Sequence, residues 1–358
     1  FGRLAYGAFY FAVRKSVESA FYTTSLSVAA THFRKAGQKA PPQGTPSRGA
    51  GRAGTCAAAE ELVCEADRSV LMTAVIIDGK RVAGDVREEV RKGAAELFAA
   101  AGVRPGLAVV LVGEDPPSQM YVRMKRKACD EAGFHSREHI LPGNVDEGAL
   151  LRLIGDLNGD PAIHGILVQL PLPKPLKPEP VLEAIDPRKD VDGIHPYNAG
   201  KLFQGEPFHR ACTPAGVVEL LDRYHIPIEG KEAVIVGRSN LVGKPLALML
   251  LSRNATVTLC HTRTRDLGGV TRRAEILVAA AGSPEMIRGD MVREGAAVID
   301  VGTNRPAGGG LVGDVAFSEV AKKASFISPV PGGVGPMTIA MLLSNTLRGA
   351  RRSAGFSP

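Results

Sequence analysis

Two residues four positions apart, Tyr121 and Lys125, form a pair that could carry out acid–base chemistry. On a helix, this spacing places both side chains on the same face. A lysine withdrawn from water has a lowered pKa and can then accept and return a proton near neutral pH. Because Arg126 and Lys127 follow directly, a solvated run of cations is the alternative interpretation.

Polar groups also stand close to the ends of apolar stretches. Gln169 lies near the end of the apolar stretch 163–170, and open α/β sheets bind ligands at the carboxyl ends of their strands. A strand-end amide that bonds only to the backbone is the alternative for Gln169. Further along, Asp190 and Asp192 offer two carboxylates in one loop. They could bind a metal ion, or one could accept N–H groups from a heterocycle.

The stretch 235–245, Ile-Val-Gly-Arg-Ser-Asn-Leu-Val-Gly-Lys-Pro, has the form of a strand, a tight turn and the start of a helix. Gly237 permits the turn, Gly243 permits a close approach of the backbone, and Pro245 suits the first turn of a helix. The free N–H groups at such a helix start bind anions. The pattern therefore indicates a dinucleotide site, although Arg238 stands where Gly-x-Gly-x-x-Gly would have its second glycine.

The residues after the next strand, 255–261, indicate which dinucleotide binds. An NAD site usually has an acid here that binds the ribose hydroxyls. This chain has Thr262, Arg263 and Thr264 instead, and its next acid is Asp266. Hydroxyl and guanidinium groups suit a 2′-phosphate, so the sequence predicts NADP. The alternative is that Arg238 and Arg263 are solvated loop charges.

A second glycine-rich stretch, 329–338, reads Pro-Val-Pro-Gly-Gly-Val-Gly-Pro-Met-Thr. Its prolines restrict the backbone, whereas its glycines permit positive φ. Such a segment suits backbone contact with a flat ligand, and a simple tight turn is the alternative.

The elements that must position these residues alternate between strands and helices. Predicted helices cover 85–101, 118–132, 146–157, 213–224, 246–251 and 338–351. Predicted strands cover 107–112, 163–170, 233–236, 255–261, 276–281 and 297–301. The helix at 213–224 is expected to open with Thr213 as its N-cap and Pro214 in its first turn. This alternation predicts an α/β fold with parallel sheets.

Composition limits the classes of function. The 358 residues suggest two domains, and 44% hydrophobic residues suffice for packed cores. The net charge is +7, but no basic stripe with interleaved aromatic residues predicts nucleic-acid binding. No apolar run reaches the ~18 residues of a membrane span. The five cysteines lack Cys-x-x-Cys spacing, which is typical of a protein in a reducing compartment and does not predict a zinc site. The histidines are dispersed and do not predict a metal site either.

Residues 1–71 differ from the rest of the chain. They begin with Phe1, hold nine Lys/Arg against five Asp/Glu, and include a Gly/Pro/Ser-rich stretch at 41–54 that is expected to be disordered. A transit peptide for mitochondria or plastids is one interpretation. Upstream sequence ahead of a start at Met72 is the interpretation we favour, with a cytoplasmic enzyme as its consequence.

Taken together, these stretches resemble the bifunctional methylenetetrahydrofolate dehydrogenase / methenyltetrahydrofolate cyclohydrolase family. The resemblance covers roughly Met72 to Arg352. The matching stretches, in the order of the family, are 118–125, 165–173, 189–193, 212–214, 237–245 and 329–338. The last two are the most specific. A Tyr-x-x-x-Lys pair also occurs in short-chain dehydrogenases, but there it follows the glycine loop, so that family fits poorly.

The resemblance implies a fold of two domains with the active site in the cleft between them. Residues 72–211 would form the N-terminal α/β domain that binds folate, and residues 212–335 a Rossmann-type domain that binds NADP. Residues 336–352 would form a helix that packs back on the first domain. Homodimers joined through the nucleotide domains are expected.

The resemblance also implies roles for individual residues. Lys125 would be the acid/base of hydrolysis, Gln169 would tune its pKa, Tyr121 would stack on the folate and help to orient Lys125, and Asp192 would anchor the pterin. The residues implied at the cofactor are Gly237, Arg238, Ser239, Gly243, Thr262, Arg263 and Thr303. The segment Pro331, Gly332, Gly333 and Val334 would line the cleft.

Three positions depart from the usual family pattern, namely Pro117, Ala211 and Thr303, and none of them removes a catalytic group. Thr303 could slightly alter the nicotinamide pocket. Two other functions stay open on the sequence alone. One is a dehydrogenase with weak or lost hydrolysis, and the other is a nucleotide-binding regulatory protein on the same fold. The joint presence of Tyr121, Lys125, Gln169 and Asp192 argues against the regulatory protein.

Overall fold

The structure is a computed structural model that describes residues 74–306 and 309–356. The leader predicted for residues 1–71 lies outside these ranges. In chain order the elements are β1 (Val75–Ile76), α1 (Gly79–Ala101), β2 (Gly106–Val112), α2 (Pro116–Glu131), β3 (His135–Leu141), α3 (Glu147–Gly159), β4 (Gly165–Val168), α4 (Pro178–Glu183), α5 (Pro196–Phe203), α6 (Cys212–Arg223), β5 (Glu232–Val236), α7 (Gly243–Leu251), β6 (Thr256–Cys260), α8 (Leu267–Thr271), β7 (Ile276–Ala279), β8 (Ala297–Asp300), α9 (Phe317–Val320), β9 (Phe326–Ile327) and α10 (Val334–Ser353). Within the described ranges, no helix is long and apolar enough to cross a membrane.

The strands form two sheets in which all pairs are parallel. The small sheet has the order β3-β2-β4, and the large sheet has the order β1-β9-β8-β7-β5-β6. The predicted α/β class with parallel sheets is therefore confirmed. Strand β1 begins the described chain, yet it pairs with β9 in the large sheet.

Both faces of the inner strands are covered, which explains why β2, β7 and β8 read as continuous apolar runs. On β2, Leu107, Val109 and Leu111 face a core that continues to the large sheet through the helices. The alternating residues Ala108 and Val110 pack in a separate core with α3. The side-chain alternation of a strand thus divides its residues between two cores.

Helix α10 connects the two sheets. It packs against α1 and α6 and also contacts β2 and β4. Most of its residues are buried, including the polar Asn345, which is 5% exposed. The amide nitrogen Nδ2 of Asn345 donates to the carbonyl oxygens of Val191 at 2.8 Å and Arg210 at 2.9 Å. These two bonds fasten the helix to the chain on either side of Asp192.

The structure corrects several predicted boundaries. Helix α1 begins six residues earlier than the predicted Asp85 because Asp78 caps it, its Oδ1 accepting from the Arg81 N–H at 2.9 Å. Strand β3 was not predicted, since its sequence His-Ser-Arg-Glu-His-Ile-Leu carries the polar side chains of a half-exposed edge strand. Helix α10 begins at Val334, inside the stretch that was predicted to be a loop.

The predicted cap at Thr213 is wrong. Helix α6 begins at Cys212 with Ala211 as its N-cap, and no side chain caps it. The Thr213 hydroxyl instead bonds to the Thr338 hydroxyl at 2.9 Å and so joins α6 to α10.

Candidate active site

A lysine and an amide meet near the carboxyl end of the small sheet. Lys125 projects from α2, which follows β2, and Gln169 follows β4 directly. The Lys125 Nζ donates to the Gln169 Oε1 at 2.8 Å. The Gln169 Nε2 donates to the carbonyl oxygen of Leu170 at 2.7 Å, which fixes the amide with its oxygen toward the lysine. Gln169 therefore holds and orients the amine.

Lys125 differs from the two cations that follow it. Burial lowers the pKa of the Lys125 amine from its ordinary value, and the charge of Asp192 opposes this shift. Arg126 and Lys127 are exposed and lie within 4.0 Å of Asp130 and 3.8 Å of Glu131, respectively. The solvated run proposed as an alternative thus describes those two residues and not Lys125.

The two carboxylates of the 190–192 loop have different surroundings. Asp190 is 2% exposed, and its Oδ2 accepts from the His195 N–H at 2.9 Å and the Asn198 Nδ2 at 2.8 Å, so it holds the loop together. Asp192 interacts with the charge of the Lys125 amine. Burial raises the pKa of the Asp192 carboxyl, and the charge of Lys125 opposes this shift. Among the described residues, no group of three or more His, Cys, Asp or Glu could hold a metal ion.

Cys212 and Tyr121 complete the surroundings of Lys125. Burial and the charge of Asp192 raise the pKa of the Cys212 thiol well above its ordinary value, so the sulfur stays neutral. The thiol donates to the carbonyl oxygen of Val191 at 3.1 Å. The Tyr121 side chain is 42% exposed, and within the described ranges it makes no hydrogen bond to Lys125. Its ring is free to contact a ligand.

The glycine turn after β5 lies at the carboxyl edge of the large sheet. Gly237 has φ +127°, and a Cβ there would clash with the carbonyl oxygen of Ala280. A Cβ on Gly243 would clash in the same way with the carbonyl oxygen of Gly237. No side chain caps α7, which starts at Gly243, so the positive end of this helix is open to an anion. These features fit a bound dinucleotide.

The remaining cofactor candidates surround this turn. Arg238 and Ser239 are exposed within it, and Thr262 and Arg263 are exposed just past β6. The Ser239 Oγ accepts from the Val242 N–H at 3.1 Å, which leaves its own hydrogen free to donate. Because Asp266 caps α8 by accepting from the Gly269 N–H at 2.9 Å, the first acid after β6 already has a structural role.

Two buried acids that sequence reasoning missed hold the neighbouring loops. Asp314 is fully buried and accepts from four donors: the N–H groups of Ala281, Gly282 and Ser283 and the Asn304 Nδ2, at 2.6 to 2.9 Å. Asp300 accepts from the N–H groups of Gly302, Asp314 and Val315 at 2.9 to 3.0 Å. The loops after β7 and β8, including the exposed Thr303, take their shape from these carboxylates. The only sequence signal was the position of Asp300 at the end of a buried strand.

The segment 331–334 lies against the start of α1. The carbonyl oxygen of Gly332 accepts from the Lys80 N–H at 2.9 Å. Pro331 is exposed and Gly333 is buried, while Val334 is 3% exposed and its side chain packs in the core. A ligand would therefore meet Pro331 and the backbone of this segment, not the Val334 side chain.

Replacement of Asp314 by Asn should disturb the loops after β7 and β8. The amide would present an NH₂ group to N–H donors, so we expect the free energy of unfolding to fall by about 2–4 kcal/mol. We also expect affinity for NADP⁺ to fall about tenfold or more, equivalent to about 1.4 kcal/mol. Urea denaturation and NADP⁺ titration measure these effects. The exposed Asp290→Asn is the control, and equal behaviour of the two variants would contradict this role for Asp314.

Comparison with known proteins agrees with this arrangement. Residues 77–192 match the catalytic domain of tetrahydrofolate dehydrogenase/cyclohydrolase, and residues 211–354 match the NAD(P)-binding domain of the same family. The bifunctional protein FolD of Pelobacter propionicus is 58% identical over 277 residues, which cover 77% of this chain and 98% of that protein.

Solved structures are similar as well. The bifunctional FolD methylenetetrahydrofolate dehydrogenase/cyclohydrolase of Campylobacter jejuni has a TM-score of 0.76 at 49% identity, with 78% of this chain and 99% of that one covered. The enzyme of Trypanosoma brucei, complexed with NADP cofactor and an inhibitor, has a TM-score of 0.75 at 43% identity, with 78% and 98% covered. With a catalytic and an NAD(P)-binding domain in this order, the chain belongs to the tetrahydrofolate dehydrogenase/cyclohydrolase family.

Proposed function

We propose that this chain carries out both reactions of its family in one cleft, with NADP⁺ as the hydride acceptor. The first reaction oxidises 5,10-methylenetetrahydrofolate to 5,10-methenyltetrahydrofolate. The second hydrolyses the methenyl form to 10-formyltetrahydrofolate. The observation that carries the proposal is the 2.8 Å bond from Lys125 Nζ to Gln169 Oε1, because it holds an amine of lowered pKa in one orientation.

Lys125 is the proton carrier of the hydrolysis. A neutral amine can take a proton from water as it attacks the methenyl carbon and can return it to the ring nitrogen that leaves. Burial supplies the neutral form, and Gln169 keeps the amine aimed while it remains a donor to the amide oxygen. Asp192 works against the neutral form, because its charge opposes the lowering of the Lys125 pKa by burial.

Substrate positioning falls to groups around this amine. The Asp192 carboxylate accepts hydrogen bonds from the N–H groups of the pterin. Tyr121, whose side chain is 42% exposed, stacks on the folate. Pro331 and the backbone of Gly332, Gly333 and Val334 line the other wall. Asp190 keeps Asp192 in place, because its own oxygen is bonded within the loop.

The cofactor accepts the hydride, so the protein mainly has to bind and orient it. Gly237 and Gly243 let the backbone approach the pyrophosphate, next to the uncapped start of α7. Arg238, Ser239, Thr262 and Arg263 bind the phosphates, including the 2′-phosphate. Thr303 borders the nicotinamide pocket in the loop that Asp300 and Asp314 shape.

We assign the three predicted segments of the chain to the parts of this function. Residues 72–211 bind folate, residues 212–335 bind NADP, and residues 336–352 pack on the folate domain. The contacts of α10 with β2, β4 and α1 support the last assignment. We assign β1 to the nucleotide domain, although it lies within the first range.

We also propose a homodimer joined through the nucleotide domains. Strand β6 is an edge of the large sheet, and Leu251 beside it is 58% exposed. We place the enzyme in the cytoplasm, with mitochondria or plastids as the alternative if residues 1–71 act as a transit peptide. Among the described residues, the three cysteines Cys129, Cys212 and Cys260 are buried and free, as in a reducing compartment.

The full chain can be tested with 5,10-methylenetetrahydrofolate and either NADP⁺ or NAD⁺, while reduced cofactor and methenyltetrahydrofolate are followed separately. Reduced cofactor with little methenyl product, together with hydrolysis of added methenyltetrahydrofolate, supports both activities. Accumulation of the methenyl form means a dehydrogenase whose Lys125 site is impaired. No reaction from folded protein would contradict the proposal.

Lys125→Met should abolish hydrolysis and leave NADP⁺ binding in place. Loss of an acid/base group typically costs a factor of about 10²–10⁴ in rate. The control is Lys127→Met, which removes an exposed lysine from the same helix. Hydrolysis of methenyltetrahydrofolate and NADP⁺ titration are the measurements, and a loss of NADP⁺ binding in Lys125→Met would mean that the site is misplaced.

Gln169→Glu should shift the pH dependence of hydrolysis. A carboxylate at the position of Oε1 would stabilise the protonated amine and raise the pKa of Lys125. Since the neutral amine is the active form, the rate of hydrolysis falls when the amine becomes protonated. With a higher Lys125 pKa, this fall should occur at a higher pH than in the parent. Rates measured between pH 5 and 10 test this, with Gln169→Met as the uncharged control. An unchanged acidic limb would argue against Lys125 as the proton carrier.

Arg238→Ala should weaken NADP⁺ far more than NAD⁺. Hydrogen bonds to charged groups contribute about 1.5–3 kcal/mol, so we expect an effect of about 10- to 100-fold on NADP⁺ alone. Titration with both cofactors measures the difference, and Arg293→Ala removes an exposed arginine elsewhere in the domain as a control. Equal losses for the two cofactors would overturn the 2′-phosphate assignment.

A further inference from the structure

A second cavity lies at the edge of the small sheet opposite Lys125 and Gln169. It has a volume of about 970 Å³ and opens at the amino ends of β2, β3 and β4. The residues that matter for its chemistry are Phe98, Arg104, His164, Arg188, Arg352 and Phe208. Nothing in the proposed function uses this cavity.

The charges in this cavity are unbalanced. Arg104, Arg188, Lys189 and Arg352 line it, whereas Asp186 is the only carboxylate among the described residues that do so. Arg188 forms an ion pair with the Asp186 carboxylate at 2.6 Å. The Lys189 Nζ donates to the carbonyl oxygens of Leu157 and Asp160 at 3.0 and 2.8 Å. Arg104 and Arg352 make no ion pair with any described residue.

Both unpaired guanidinium groups rest on aromatic rings. Arg104 lies 4.7 Å from the centre of the Phe98 ring, and Arg352 lies 4.0 Å from the centre of the Phe208 ring. A ring face holds a guanidinium in place without neutralising its charge. The N–H groups at the edge of each group stay free, and their planar arrangement matches carboxylate and phosphate oxygens.

A histidine borders the same cavity. His164 is 7% exposed, and its Nδ1 accepts from the Gly106 N–H at 3.0 Å. Because Nδ1 is an acceptor, the ring carries its proton on Nε2, and burial and the charge of Lys189 favour this neutral form by lowering the pKa of His164. The Nε2–H has no acceptor among the described residues, so it is available to an acceptor in the cavity.

The ends of helices account for part of this charge. Cations are stabilised in the last turn of a helix, where both Arg351 and Arg352 of α10 lie, and Arg351 also pairs with Glu96 at 3.5 Å. Arg104 follows Gly102, the C-cap of α1, and lies on the ring of Phe98 in the last turn of that helix. Neither Arg104 nor Arg352 has a carboxylate partner among the described residues, so both charges remain available to an anion.

We propose that this cavity binds a small polyanion of the phosphate or carboxylate class, held by Arg104, Arg352 and the Nε2–H of His164. The ligand carries at least two negative charges, one for each unpaired guanidinium. A volume of about 970 Å³ lies within the usual range for sites of small molecules. The site is separate from the cleft, because it lies at the opposite edge of the sheet.

Isothermal titration of the full chain with pyrophosphate and, separately, with tricarballylate tests the proposal at constant ionic strength. We expect at least one of them to bind, and the double variant Arg104→Ala/Arg352→Ala to bind it at least tenfold more weakly. Arg152→Ala, which removes an exposed arginine from α3, should bind as the parent does. Pyrophosphate alone would identify a phosphate compound, tricarballylate alone a polycarboxylate, and both a general polyanion.

Three results would overturn the proposal: no binding of either probe, binding unchanged in the double variant, or an equal loss in Arg152→Ala. If Arg352→Ala unfolds the chain because it loses packing on Phe208, Arg104→Glu replaces the double variant. Its charge reversal on a loop should also weaken binding at least tenfold, and unchanged binding there contradicts the site.

Discussion

The structure depends on the burial of one helix between two sheets. Helix α10 packs on α1 and α6 and reaches the small sheet at β2 and β4, so both halves share one core. A polar side chain buried in this way has to form hydrogen bonds within the protein. Asn345 does so by donating to the carbonyl oxygens of Val191 and Arg210. The loop that ends in Asp192 is thereby fixed to a largely buried helix.

The chemistry is concentrated where parallel strands end. Gln169 follows β4, and the glycine turn follows β5, so the lysine site and the dinucleotide site both use the carboxyl edges of sheets. Buried carboxylates shape the loops at these edges. Asp190, Asp300 and Asp314 accept from donors in the chain around them and leave the groups that face ligands unencumbered. The site is thus built from acids that hold the backbone and from the lysine that we propose as the proton carrier.

Much of this could be predicted from sequence because strands buried on both faces and a glycine turn give strong local patterns. The spacing of Tyr121 and Lys125 and the position of Gln169 gave the acid–base candidates, and the Lys125–Gln169 bond joins two of them. Elements defined by distant partners could not be predicted. Strand β3 is polar along its length and exists because β2 lies beside it. The first residue of α1, Gly79, has to be a glycine because Gly333, far along the chain, leaves no space for a Cβ. Asp314 could not be identified because three of its four donors lie in the distant loop after β7.

The crossing of chain segments between the two sheets has a consequence for dissection of the protein. The first described strand, β1, completes the edge of the large sheet, and the last helix, α10, covers the small one. A single cut anywhere between them leaves each fragment without a piece that the other carries. The two ligand-binding halves are therefore not interchangeable cassettes. Swapping one for a relative's counterpart requires three junctions along the chain, one of them after Ile76.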